Sequence, residues 1–258
     1  METLFSVKDK VILITGASSG LGHHFTKTLA KAGAKVAMVA RRFDRIKAIS
    51  IEVSQDGGVA IPFTLDITQT SDIKNVVKEI EDQLGQIDVL VNNAGVDARK
   101  NIFETTDEDW TKVIDTNLKG LVMVTQAVAA RMIENKKTGS IINISSVSDI
   151  LGFKGGNPAY MMSKAGVSHF NHLLALELAS SNIRVNAIAP GVYRTEINDD
   201  LFDTDLSKVL ESKVPLLRFG NLGDLDGALF LLCSDASRYM TGTIIRVDGG
   251  LGINKLIL

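Results

Sequence analysis

The chain has 258 residues, enough for two small domains or one large α/β domain. Hydrophobic residues make up 45% and charged residues 22%, and a net charge of −2 without a dense Lys/Arg run excludes an electrostatic nucleic-acid surface. No apolar run approaches the roughly 20 residues of a membrane span, the start "METLFSVKDK" is too short and polar for a signal peptide, and a single cysteine precludes an internal disulfide, so the expectation is a cytoplasmic protein that binds neither nucleic acid nor membrane.

Seven short runs rich in Val and Ile read as strands: 10–15, 35–40, 59–65, 87–91, 140–145, 183–189 and 243–248. They are apolar nearly throughout, as strands covered on both faces are. Amphipathic segments at 20–32, 42–53, 70–84, 107–133, 158–180 and 222–234 alternate with them. This alternation predicts a single-domain, doubly wound Rossmann-type α/β fold with a parallel sheet and helices on both faces. The segment 192–219 is long for a strand-to-helix connection and is expected to act as a lid. Its acidic run, Asp199, Asp200, Asp203 and Asp205, reads as solvated helix ends.

In such a sheet, ligands bind beyond the C-terminal strand ends. The first of those ends is "TGASSGLG". Gly16 allows a sharp turn; Gly20 and Gly22 let backbone approach a pyrophosphate and let the helix pack on the sheet. With Ser18, Ser19 and Leu21 they form a candidate dinucleotide loop, although the spacing differs from G-x-G-x-x-G.

Strand 2 ends in "VARRFDR". No acid stands where a ribose 2′-hydroxyl would be held; Arg41 and Arg42 follow instead, and a guanidinium matches a phosphate. The expectation is NADP(H) preferred over NAD(H), with NAD(H) possible. Arg41 would carry the preference and Arg42 assist; the bland alternative is a strand end in which both meet Asp44 or solvent.

Strand 3 ends in "LDIT". Asp66, beside Ile67, either accepts from an adenine amino group or caps the helix beginning near Thr70. Strand 4 ends in "VNNAGV", where Asn93, Ala94 and Gly95 form a turn that faces the cofactor, props up the glycine loop, or does both.

Strand 5 ends in "INISSVSD", with Ser145 and Ser146 at the ligand edge. The next helix carries Tyr160 and Lys164, one turn apart on one face. A free phenol has a pKa near 10, and an adjacent ammonium would lower it. Ser, Tyr and Lys together make an acid/base device for interconverting a carbonyl and an alcohol. In isolation the pair would read as an ordinary surface contact.

The set "TGASSGLG", "NNAG", Asn117 in "IDTNLKG", "NISS", "YMMSK", "PGVYRT" and "VDGG" resembles the short-chain dehydrogenase/reductase family over about residues 8–252. The resemblance implies strand order 3-2-1-4-5-6-7 and an NAD(P)-dependent oxidoreductase acting on a small carbonyl or alcohol substrate. It implies Tyr160 as acid/base, Lys164 lowering its pKa and bonding the nicotinamide ribose, and Ser146 steadying the substrate oxygen. It further implies that Asn117 holds a water joining Lys164 to solvent, and that Pro190, Gly191, Val192 and Thr195 border the nicotinamide carboxamide. A homotetramer built from helices in 107–133 and 158–180 is also implied. The alternative on the same fold is a non-catalytic dinucleotide-binding scaffold.

Two histidine pairs, His23/His24 and His169/His172, have no third ligand nearby and read as packing or surface, so no metal is expected. The substrate pocket would draw on 148–157, the neighbourhood of Val96 and Asp97, and the lid: Leu151, Phe153, Tyr193, Leu201 and Phe202 beside Asp149, Lys154 and Arg194. A 3-oxoacyl thioester is one candidate. Lys136 and Lys137 could serve a carrier protein, whereas Ser180 and Ser181 stand where a second base is expected.

Overall fold

The computed structural model describes residues 4–152, 156–199, 202 and 204–253. Runs of Val, Ile and Ala form the strands, because branched side chains suit a pleated surface packed on both faces. The strands are β1 (Val11–Thr15), β2 (Lys35–Ala40), β3 (Val59–Thr64), β4 (Val89–Asn92), β5 (Gly139–Ile144), β6 (Ile183–Pro190) and β7 (Ile244–Val247). They form one sheet in the order β3-β2-β1-β4-β5-β6-β7, and every pairing is parallel. The helices are α1 (Gly20–Lys31), α2 (Phe43–Gln55), α3 (Ile73–Leu84), α4 (Asp107–Ile114), α5 (Leu121–Glu134), α6 (Pro158–Leu178), α7 (Asp205–Lys213) and α8 (Asp226–Cys233).

Alternation along each strand builds two cores. Ile12 and Ile14 join Phe25, Leu29, Ile46, Leu229 and Cys233 on the side of α1, α2 and α8. Leu13, between them, joins Val77, Ile80, Val128, Met132 and Leu178 on the side of α3, α5 and α6. Each fully buried Ile or Leu is worth about 1.5–3 kcal/mol of transfer free energy, so the central strands are the most firmly held part of the molecule. β1 is flanked by β2 on one side and β4 on the other, with Leu13 opposite both Ala37 and Leu90. The chain therefore departs in both directions from β1. A crevice opens beyond the strand ends at that switch point.

Some boundaries differ from the sequence expectation. The helix expected over 107–133 is interrupted by a π-helical turn, Asp115–Gly120. The expected 222–234 helix begins as a 3-10 turn, Leu222–Leu225. The segment 192–219 contains α7, whose N-cap Thr204 accepts from the Ser207 amide, so Asp205 does open a helix. Among the described residues, no helix is long and apolar enough to cross a membrane.

Candidate active site

A cleft of about 410 Å³ runs along the C-terminal strand ends from Arg41 and Arg42 to Ser146 and Tyr160. Its floor is the turn between β1 and α1. Gly16 and Gly20 have φ of +68° and +53°, which residues with a Cβ rarely adopt. A Cβ on Gly22 would lie 2.4 Å from the Gly16 carbonyl, so the helix packs against the loop only because this residue has none. Gly22 is buried beneath the loop, while Gly16, Ser18, Ser19, Gly20 and Leu21 line the cleft. α1 thus starts at the cleft with free backbone N–H groups, the arrangement that receives phosphate.

The turn after β4 braces this loop. The Asn93 side chain donates to the carbonyls of Thr15 (2.9 Å) and Gly16 (3.2 Å), and the Thr15 hydroxyl accepts from the amides of Asn93 and Ala94. Asn93, Ala94 and Gly95 also line the cleft, so propping the loop and facing the ligand are one arrangement. Asp66 and Ile67 line the cleft beside Arg41. Asp66 accepts from the amide and hydroxyl of Thr68 and caps no helix; α3 begins at Ile73 behind Asp72.

The two arginines after β2 both line the cleft but make different contacts. Arg42 donates to Ser18 (3.0 and 3.3 Å) and Ser19 (2.9 Å) and pairs with Glu196 at 3.1 Å. Arg41 is more exposed and leans toward Asp66 at 3.7 Å. The reason is geometric: Arg42 is the N-cap residue of α2, and its guanidinium reaches the glycine loop.

The catalytic candidates converge at the other end. Asn157 caps α6, accepting from the Ala159 amide at 3.1 Å, and Pro158 opens the helix; together they fix where Tyr160 begins its turn. The Tyr160 phenol lies beside Ser146, and the Lys164 ammonium lies 5.7 Å from the ring centroid. Burial pushes the Tyr160 phenol up to about 12, with the Asp97 charge adding to the rise and the Ser146 hydrogen bond opposing it. The expected lowering by Lys164 is not what prevails. Burial itself pushes Lys164 down to about 8, which weakens its hold on a positive charge. The ammonium donates to the Ile144 carbonyl at 2.8 Å.

Of the two serines, Ser146 faces the phenol, whereas Ser145 is turned inward. The Ser145 hydroxyl meets Ser168 at 2.7 Å and the Lys164 carbonyl at 3.2 Å. Asn117 sits in the π turn, a widening that frequently marks functional positions. Its side-chain amide accepts from the Val96 amide (2.8 Å) and donates to the Val96 carbonyl (2.9 Å) and Ser163 (3.1 Å). Asn117 therefore clamps the β4 turn against α6.

Pro190, Gly191 and Thr195 line the cleft. The Val192 side chain packs with Val147, Val214 and Leu251, which leaves its backbone as the part that could border a ligand. Tyr193 donates to the Val247 carbonyl, and Asp149 is buried in an ion pair with Arg246 at 2.7 Å, so neither of these polar groups is free to address a substrate. Asp149 closes the 3-10 turn that Ser146 caps, and it accepts from Ser168 at 2.5 Å. Phe202 stacks edge-on with Phe219 and under Arg194. Phe153, Lys154 and Leu201 lie outside the described residues, as do Asp200 and Asp203 of the acidic run. Lys137 pairs with Asp88 at 3.0 Å at the N-terminal strand ends, a full strand's length from Tyr160.

Sequence reasoning missed Glu196 and the Asp149–Arg246 pair. Their partners lie 154 and 97 residues away, and no local pattern announces such contacts.

A family model described as Enoyl-(Acyl carrier protein) reductase matches residues 16–252. A Thermotoga maritima protein named 3-oxoacyl-[acyl-carrier-protein] reductase FabG is 40% identical over 96% of this chain and 99% of its own. A short-chain type dehydrogenase/reductase from Mycobacterium marinum superposes with a TM-score of 0.91 at 37% identity, covering 96% of this chain and 97% of that one. A gluconate 5-dehydrogenase from Burkholderia cenocepacia J2315, in complex with NADP and tartrate, superposes with a TM-score of 0.93 at 32% identity, covering 97% and 98%.

Proposed function

This chain belongs to the short-chain dehydrogenase/reductase family, and on that premise we propose that it is an NADP(H)-dependent oxidoreductase that reduces a ketone to a secondary alcohol. The observation that carries the reading is the meeting of Ser146, Tyr160 and Lys164 at one end of a cleft whose other end holds the glycine turn and two arginines. A protonated phenol at that place suits proton donation to a substrate oxygen, which is the step that ketone reduction needs.

The residues fit a phosphorylated dinucleotide. The Gly16–Gly22 turn offers a cradle that a Cβ would fill, and Arg42 with Ser18 and Ser19 offers a cluster of donors at the ribose end. Bound nicotinamide would supply the hydride, which no protein side chain can. Ser146 orients the substrate oxygen; Tyr160 donates its phenolic proton to that oxygen as the carbon becomes tetrahedral. Lys164 stands at the ribose side of the phenol, and Asn117 keeps the β4 turn and α6 in register around both. The segment 192–219 acts as the lid, a reading supported by Thr195, Glu196, Ile197 and Asn198 lining the cleft.

For the substrate, the reading is a neutral ketone of the 3-oxoacyl thioester kind. Two things support it: the name of the 40% identical relative, and Asp97. The Asp97 charge already acts on Tyr160 and disfavours a carboxylate beside the reacting carbonyl, as a sugar acid would bring. Lys137 lies far from the cleft within this chain, so a small thioester should suffice without a carrier protein. The test is NADPH consumption with a 3-oxoacyl thioester and with a keto sugar acid. Faster turnover of the thioester is expected; faster turnover of the sugar acid would overturn the substrate reading.

A homotetramer, in a cytoplasmic setting, completes the proposal. Leu173 and Leu176 on α6 and Ile133 on α5 are exposed, more apolar surface than these helices need against their own sheet. Light scattering that returned a single 27.8 kDa chain would refute it.

A further inference from the structure

The ion-pair cluster around Arg42 contains a carboxylate, Glu196, so far given no role beyond lining the cleft. One Glu196 oxygen pairs with Arg42 at 3.1 Å, and the other pairs with Arg45. Arg42 in turn is fastened to Ser18 and Ser19 of the glycine loop. A single carboxylate from the start of the lid thus bridges two guanidiniums on the far side of the cleft. That is the pattern of donors a phosphate monoester would recruit, and a phosphate brings more charge and a third oxygen.

We propose that Glu196 is a cofactor-selectivity residue, an internal rival that holds Arg42 and Arg45 until a 2′-phosphate displaces it. The inference rests on the NADP(H) reading and deepens it. Glu196 is half-exposed, so its ion pairs are screened and weakly held, and exchange for phosphate is easy. The next residue back, Thr195, is tied to Asn198 through its amide (2.9 Å) and hydroxyl (3.0 Å) and lies close over Gly20. Releasing Glu196 therefore frees the first turn of the lid at the place where it crosses the glycine loop. The carboxylate that a phosphate would displace is thus part of the first turn of the lid. The carboxylate lowers the affinity for phosphorylated cofactor and leaves that for NAD(H) unchanged.

The experiment is calorimetric titration of wild type, Glu196→Gln, Glu196→Ala and Arg42→Ala with adenosine 2′,5′-bisphosphate and with ADP, which need no turnover. Wild type should prefer the bisphosphate. Both Glu196 variants should bind it roughly two- to fivefold more tightly, the range expected when an exposed competing ion pair is removed, with ADP unchanged. Arg42→Ala should lose the preference. If wild type prefers the bisphosphate but the Glu196 variants bind it no better, the rivalry is refuted and the NADP(H) reading stands. If the variants bind ADP less well, Glu196 serves the ribose hydroxyl instead, which also refutes it. If wild type shows no preference, the NADP(H) reading falls and takes this inference with it.

Discussion

The two ends of the cleft handle charge in opposite ways. At the catalytic end, Lys164 is buried and Tyr160 partly so, and loss of solvation pushes the phenol up to about 12 and the ammonium down to about 8. At the ribose end, Arg41, Arg42 and Arg45 are roughly half-exposed and each leans on a carboxylate. The first end is governed by desolvation, which salt does not screen; the second by Coulomb pairing, which it does. Chemistry is therefore fixed by the fold, and cofactor choice is adjustable from the surface.

The largest effect should come from the buried end. Tyr160→Phe keeps the ring and removes the proton donor, so ketone reduction should fall by roughly a hundred- to ten-thousandfold while NADPH binding is little changed. Steady-state rates and a fluorescence titration of NADPH check the two halves; near-normal kcat would break the comparison at its stronger side. At the exposed end, Arg42→Ala should cost roughly ten- to a hundredfold in kcat/KM for NADPH and much less for NADH, from the loss of charge-assisted hydrogen bonds. Arg41→Ala should cost less. Raising ionic strength should erode the NADPH preference in wild type and leave the NADH rate alone. Selectivity that ignored salt would mean that the arginines are not its source.

The smallest effect is on stability. Lys164 releases its proton near 8 in the folded chain but near 10.5 when unfolded. Between those values the unfolded chain binds more protons, so stability contributed by this site rises with pH across that window and is lost as pH falls through about 8. Lys164→Met should lack this rise. Urea midpoints of wild type and variant across the window measure the difference between their slopes; parallel curves would show that Lys164 is not desolvated.

The same contrast explains what could be read from the chain beforehand. Strands and most helices were legible because alternation and helical spacing are local. Tyr160 and Lys164 were legible because one helical turn joins them within a wider set of motifs, and Gly22 because it follows the first strand in a glycine-rich turn. The π turn around Asn117 was not, since its sequence keeps ordinary helical spacing. Nor were the different contacts of Arg41 and Arg42, which depend on reach toward Ser18 and Ser19 rather than on residue type. Glu196 was invisible, because its pairing with Arg42 spans 154 residues. The pKa of Tyr160 went the other way from expectation, because spacing to a lysine says nothing about how deeply both are enclosed.

The central claim is that Tyr160 is stored as an acid, and its own titration reads this most directly. The chain has three tyrosines, so the ultraviolet difference spectrum of wild type minus Tyr160→Phe, followed with pH in the free enzyme, isolates the one phenol. The expected result is no ionisation assignable to Tyr160 through the neutral range and a midpoint near 12. A phenolate that forms at neutral pH in wild type and is absent from the variant would contradict it.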